Sequence, residues 1–106
     1  MVSFSNGSFV ESISPDHILD YVSKVFQVDK KLISSKNRTS KVNESRRLFA
    51  SLARKHTDLS LNQIGLYLGG RSHSTVLSYI DRSKESPLVV KEINNFDSSL
   101  SIKEVG

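Results

Sequence analysis

Two adjacent glycines, Gly69 and Gly70, separate two short apolar stretches, Leu61 to Leu68 and Val76 to Ile80. Glycine adopts positive φ without steric cost, so a glycine pair between helical patterns marks a tight turn. Two short helices joined by such a turn form a helix-turn-helix. The second helix would open on Arg71-Ser72-His73-Ser74-Thr75. These guanidinium, imidazole and hydroxyl groups can meet phosphates and base edges, which is what the first turn of a recognition helix presents. The pattern predicts a partner made of double-stranded DNA.

A chain of 106 residues, 37% of them hydrophobic, suffices for one domain around one modest core. The net charge is +4, and its distribution says more than its size. Nine Lys or Arg fall between Lys30 and Lys55, against one acid, Glu44. The segment that follows is close to balanced. Charge concentrated beside the glycine turn points to a binding face rather than a uniformly solvated surface. With no cysteine, there is no disulfide framework and no thiolate metal site. His17 and His56 lack ligand spacing, so no metal is expected. No apolar run is long enough to cross a bilayer, and no membrane partner is expected.

Helical periodicity recurs along the chain and no hairpin signal appears. Residues 1–13, rich in Ser, Gly and Asn, read as a flexible lead-in. Ser14 and Pro15 are N-cap and first position of a helix carrying Ile18, Leu19, Val22, Val25 and Phe26. Asp29 caps a short helix with Leu32 and Ile33. The polar, basic stretch from Ser34 to Val42 reads as a loop. A longer helix is expected from about Asn43, with Leu48, Phe49, Leu52 and Ala53 inward and Arg46, Arg47 and Arg54 outside the tightest core. Ser60 and Gln63 make a capping-box pattern, followed by Ile64, Tyr67 and Leu68. Ser72 caps the next helix, with Val76, Leu77 and Ile80 inward. Ser86-Pro87 opens a last helix carrying Leu88, Val89, Ile93 and Phe96, and 101–106 read as frayed. The expected fold is all-α, a compact bundle of about five to six helices containing the helix-turn-helix, over residues 14–100.

Gly69-Gly70-Arg71-Ser72-His73-Ser74-Thr75-Val76 closely resembles the signature of the C-terminal DNA-binding domain of DnaA, the bacterial replication initiator. Ser60 to Gly65 resembles that family's helix before the turn, and Lys36-Asn37-Arg38-Thr39 its basic loop. The similarity spans about residues 14–84. It implies an all-helical domain that recognises short duplex boxes at replication origins, in initiation or its control. Arg71, His73, Ser74 and Thr75 match positions that meet bases or phosphates in the major groove. Arg38 matches a loop arginine that enters the adjacent minor groove, and Arg54 a backbone contact. Arg46 matches an arginine early in the long helix. The chain departs from the family at Ser72, where Asp is usual, at Ser45, where Pro is usual, and at Ser78, where His is usual. An acid accepts selectively from the cytosine amino group, whereas serine discriminates less.

The expected DNA-binding set is therefore Lys36, Arg38, Lys41, Arg46, Arg54, Arg71, Ser72, His73, Ser74 and Thr75. No cofactor is expected. The resemblance implies a cytoplasmic, nucleoid-associated protein. Ser74 and Thr75 beside a histidine lack a third, orienting group, so no catalytic residue is assigned and no enzyme is expected. Gly69-Gly70 lacks the lysine and spacing of a nucleotide loop, and no G-x-x-x-x-G-K-[ST] is present. The chain is then an excised domain or a small stand-alone relative, with the lead-in favouring the latter. Two other roles fit the same fold: a regulator competing for such boxes, and an interaction module that has lost DNA binding. The retained Arg38, Arg71, His73 and Thr75 weigh against the last.

Overall fold

The computed structural model describes residues 13–105, with side chains described as far as Ser99. The lead-in expected over 1–13 lies, Ile13 apart, outside the described residues. Six helices are present among the described residues: α1 (Pro15–Phe26), α2 (Lys30–Ile33), α3 (Ser40–His56), α4 (Leu61–Tyr67), α5 (His73–Ser83) and α6 (Pro87–Val105). No strand occurs among them. The backbone stays helical through Ser101–Val105.

The helix starts follow their capping chemistry. The Ser14 hydroxyl accepts from the Asp16 amide at 3.2 Å, with Pro15 in the first turn. The Asp29 carboxylate accepts from the Lys31 amide at 2.8 Å. Ser60 and Gln63 complete a reciprocal capping box, at 3.2 Å and 2.8 Å. Each cap satisfies an amide that the helix itself leaves without an acceptor.

The long helix begins three residues before the expected Asn43, at Ser40. Its entry is organised by polar side chains that carry no apolar periodicity. The Asn37 side-chain oxygen accepts from both the Thr39 amide, at 2.9 Å, and the Thr39 hydroxyl, at 2.8 Å. The Thr39 carbonyl then accepts the first helical bond, from Asn43. Val42, read as loop from sequence, is core. The loop proper is Ser34 to Thr39.

α3 runs through the middle of the fold and packs against all five other helices. Leu48, Phe49, Leu52 and Ala53 on it have no accessible surface, nor do Ile18 and Val22 of α1, Ile64 of α4, Val76 of α5 and Val89 of α6. Phe96 of α6 lies edge-on to Tyr21 with ring centres 4.9 Å apart, and 5.2 Å from the His56 ring. Tyr21 donates to the Glu92 carboxylate at 2.9 Å. Burial, reinforced by that carboxylate, pushes the Tyr21 phenol up to about 12. Two inward assignments fail. Leu77 is 43% exposed and Leu88 is 47% exposed. The core-facing stripe of α5 is instead Val76 and Ser83, both buried, with Tyr79 and Ile80 partly buried between them, at i, i+7, i+3 and i+4. Ser83 meets Ser51 of α3 at 2.6 Å, two small side chains where the helices cross.

The turn between α4 and α5 is built on one carbonyl. That of Gly65 accepts from the amides of Leu68 (3.1 Å), Gly70 (2.9 Å) and Arg71 (3.0 Å). A Cβ on Gly65 would stand 2.0 Å from the Arg71 carbonyl oxygen, so no larger residue fits. Gly69 and Gly70 have φ of 91° and 84°, the left-handed region expected of the pair. A Cβ on Gly69 would also meet the Ser34 carbonyl oxygen at 2.3 Å, whereas one on Gly70 would meet nothing. Gly70→Ala is therefore expected to cost about 1 kcal/mol, the backbone penalty alone. Gly65→Ala, which collides with backbone, is expected to cost about 3 kcal/mol. Urea midpoints of the two variants check the order.

α6 is tied to the end of α3 by Asp97, which pairs with Lys55 and with His56 Nε2, the latter at 2.7 Å. Burial would raise the Asp97 carboxyl, but the hydrogen bonds from Lys55 and His56 outweigh it and hold the group below its ordinary value. A depressed folded-state pKa contributes stability above the unfolded value of about 3.9 and loses it as pH falls through the folded one. Asp97→Asn is expected to lower stability at pH 7 by about 1 kcal/mol or less. The difference from the parent should vanish at the acid end, which urea titrations at neutral pH and below pH 3 will measure.

Candidate nucleic-acid interface

The loop between α2 and α3, the first turns of α3 and one face of α5 enclose an open cleft of about 320 Å³. Five arginines line it: Arg38 from the loop, Arg46 and Arg47 from α3, and Arg71 and Arg82 from the turn and α5. Asn43, Thr75, Ser78 and Tyr79 complete the wall. Thr75, Ser78, Tyr79 and Arg82 recur at i, i+3, i+4 and i+7, so α5 turns one continuous polar stripe into the cleft. The only carboxylate paired to a lining arginine among the described residues is Glu44, 3.4 Å from Arg47. The cleft is therefore a concentration of positive charge in a concave, partly desolvated setting, where attraction for an anion exceeds that of an open surface.

Four expected site residues meet here: Arg38, Arg46, Arg71 and Thr75. Their roles differ. Arg46, expected outside the tightest core and among the DNA contacts, has no accessible surface. It is the largest fully buried side chain among the described residues. Its Nε donates to the Ile33 carbonyl at 2.9 Å, and one terminal nitrogen donates to the carbonyls of Leu32 (3.1 Å) and Ser35 (2.7 Å). The other donates to the Asn43 side-chain oxygen at 3.0 Å. The last carbonyls of a four-residue helix have no intrahelical donors; Arg46 donates to those of Leu32 and Ile33, and the Ser35 amide and hydroxyl also serve that of Leu32. Burial, then the positive charges of Arg71 and Arg38, push the Arg46 guanidinium down from its ordinary value, with Tyr79 opposing. The guanidinium remains charged. Arg46 forms the floor of the cleft and is not a surface contact. Its burial is invisible to sequence because three of its four partners are main-chain oxygens.

Arg71 is half-buried and donates to the same Ser35 carbonyl at 2.8 Å, while its Nε has no partner. Ser72, His73 and Ser74 are exposed at the start of α5. The Ser72 hydroxyl is the N-cap, accepting from the Thr75 amide at 3.3 Å and lying 3.1 Å from the Thr75 hydroxyl. Lys36, Lys41 and Arg54 are exposed and do not line the cleft. Phe49 and Tyr67 pack on one another at 5.9 Å, inside the fold. Sequence reasoning missed Asn43, Arg47, Ser78, Tyr79 and Arg82 as lining residues. The i+3, i+4, i+7 spacing from Thr75 was the signal for the last three. For Arg47 the signal was its place next to Arg46.

Like charges gathered without counter-charge oppose folding slightly. Arg82→Gln, at an exposed position, is expected to leave stability unchanged or raise it by about 0.5 kcal/mol at low salt. It should also reduce the extra thermal stabilisation that phosphate gives over chloride. Melting curves of parent and variant in the two salts measure both effects.

Among the described residues, no helix is long and apolar enough to cross a membrane. Comparison with known proteins agrees with the helix-turn-helix geometry. Residues 15–82 match the family model of the bacterial dnaA protein helix-turn-helix. The chain is 37% identical over 81 residues to the chromosomal replication initiator protein DnaA of Gloeobacter violaceus, covering 76% of this chain and 18% of that protein. It is 39% identical over 67 residues to the protein of the same name from Porphyromonas gingivalis, covering 63% and 14%. With that of Corynebacterium jeikeium it shares 35% identity over 74 residues, covering 70% and 13%. The matched segment is less than a fifth of the length of these relatives.

Proposed function

The chain belongs to the bacterial DnaA helix-turn-helix family, and from that premise we propose that it binds double-stranded DNA at origin-type boxes, in replication initiation or its control. The first turn of α5 enters the major groove, with Arg71, Ser72, His73, Ser74 and Thr75 toward bases and phosphates. Arg38 reaches the adjacent minor groove, and Lys36, Lys41 and Arg54 lie along the backbone. The observation that carries this reading is the convergence of five arginines on one cleft between the loop and α5, with a single paired carboxylate at its edge. A fold that had exchanged DNA for a protein partner would have no reason to keep so much unneutralised charge there.

Ser72 bears on the sequence recognised. Its hydroxyl caps α5, and aspartate caps a helix equally well. Ser72→Asp can then keep the cap with one carboxylate oxygen and turn the other to the bases. Box sequences come first from selection out of random duplex pools, and affinities are then measured across salt and across all four base pairs at each position. About 4 to 6 phosphate contacts give a slope of log affinity on log salt of about −4 to −5. Ser72→Asp should sharpen preference at one position by about 1–3 kcal/mol. No enrichment in the selection, or a salt-independent affinity, overturns the binding reading. An unchanged preference profile in Ser72→Asp overturns the docking of α5.

A further inference from the structure

We propose that Arg46 and Asn43 are positioning residues for Arg38, acting from inside the fold to fix where the loop arginine stands relative to α5. The inference rests on the DNA-binding reading and assigns to two residues of that site a role other than contact. Arg46 has no surface to offer a phosphate. Its hydrogen bonds run to both ends of the loop. One terminal nitrogen holds the Ser35 carbonyl at 2.7 Å. The other holds the Asn43 side-chain oxygen at 3.0 Å, and the Asn43 amide nitrogen donates in turn to the Arg38 carbonyl at 3.3 Å. A buried, rigid fork thus reaches the start of the loop directly and the Arg38 backbone through one relay.

The same loop is tied to the helix-turn-helix from the other side. Arg71 donates to the Ser35 carbonyl at 2.8 Å. The Gly69 backbone lies so near Ser34 that a Cβ would be 2.3 Å from its carbonyl oxygen. Loop and turn are therefore held to one another by the Arg71 guanidinium on a loop carbonyl and by close backbone packing at Gly69, both directed to main-chain atoms of the loop. Arg38 is exposed, and Asn43 is the atom-by-atom link between its backbone and the core. Contacts at two grooves reinforce one another only when their spacing is fixed beforehand, since otherwise ordering the loop costs affinity on binding.

Arg46→Lys loses the fork and can unfold α2, so Asn43→Ala is the decisive variant. Alanine is a better helix former than asparagine, and the carbonyl bonds of Arg46 remain. Duplex affinity is measured for the parent, Asn43→Ala, Arg38→Ala and the double variant. Asn43→Ala is expected to weaken binding about 3- to 10-fold in the parent, the range of one net hydrogen bond, and to have almost no effect when Arg38 is already alanine. An equal effect in both backgrounds, no effect in the parent, or no effect of Arg38→Ala overturns the inference while leaving DNA binding intact. A second readout needs no DNA. Tryptic cleavage of the folded protein after Arg38 should speed up about tenfold in Asn43→Ala, relative to cleavage after Lys84, because local opening of the loop becomes easier. An unchanged ratio overturns the positioning role even if no duplex binds. A parent that binds no duplex, with the ratio changed as expected, leaves the internal tether standing and removes only the proposed function.

Discussion

The guanidinium of Arg46 is the group that ties α2, the loop after it and the start of α3 together beneath the cleft. A charged side chain taken out of water is costly unless its donors are matched, and here hydrogen bonds to three carbonyls and one amide match four of its five N–H donors. Hydrogen bonds to a charged group contribute roughly 1.5–3 kcal/mol each. The exchange is mutual, because α2 is only one turn long and an isolated turn does not hold in water. Arg46 adds donors at the end of α2 beside those of Ser35, α2, the loop and Asn43 give Arg46 its acceptors, and Ile33 is buried in the core next to them. No carboxylate takes part. A carboxylate there would neutralise the very charge that the cleft presents, whereas carbonyl dipoles satisfy the donors and leave the positive field in place.

Stability and binding charge therefore pull against each other at this site, and the fold separates them by depth. Arg46 at the floor has four of its five N–H donors matched by the protein. Arg71, one step out, is tied by a single bond to the Ser35 carbonyl and keeps an unpartnered Nε. Arg38 and Arg82 at the rim are exposed. The deeper the arginine, the more its geometry is set by the protein, and the nearer the rim, the more it is left for a partner. The acid-sensitive tie through Asp97 lies elsewhere, at the far end of α3 where α6 docks. Acid loosening of the bundle there does not involve the charges of the cleft.

Much of this was legible in the sequence. The caps Ser14, Asp29, Ser60 and Ser72 are local chemistry, and each stands where it was expected because the side chain and the amide it serves are two or three residues apart. The glycine turn was legible for the same reason. What escaped reading is what involves distant main-chain atoms. Gly65 is an ordinary mid-helix residue by pattern, and only the approach of the Arg71 carbonyl makes it obligatory. Arg46 is a basic residue in a basic stretch, and only the ends of α2 and the loop turn it inward. Leu77 failed in the opposite sense: it has the right chemistry for the core, but the core-facing stripe of α5 passes through Tyr79 instead. The early start of α3 was hidden because Asn37 and Thr39 organise it with polar groups that also read as loop.

The departures from the family pattern are intelligible against this frame. Ser45, where proline is usual in the resemblance, is buried, and its hydroxyl donates to the Lys41 carbonyl at 2.8 Å. Proline would lack the amide that a helix needs past its first turn. Here the sixth residue of α3 keeps its amide, and its hydroxyl back-bonds to the Lys41 carbonyl one turn earlier. Ser78, where histidine is usual, opens the wall of the cleft beside Tyr79, whose hydroxyl lies close enough to Arg46 to oppose the fall in its pKa. Both changes leave the tether from Arg46 through Asn43 to Arg38 untouched, and both lie away from Ser72. Variation at Ser78 thus alters the lining of the cleft and variation at Ser45 the interior of α3, while the bonds of Arg46 and Arg71 to the loop's main-chain carbonyls involve neither position.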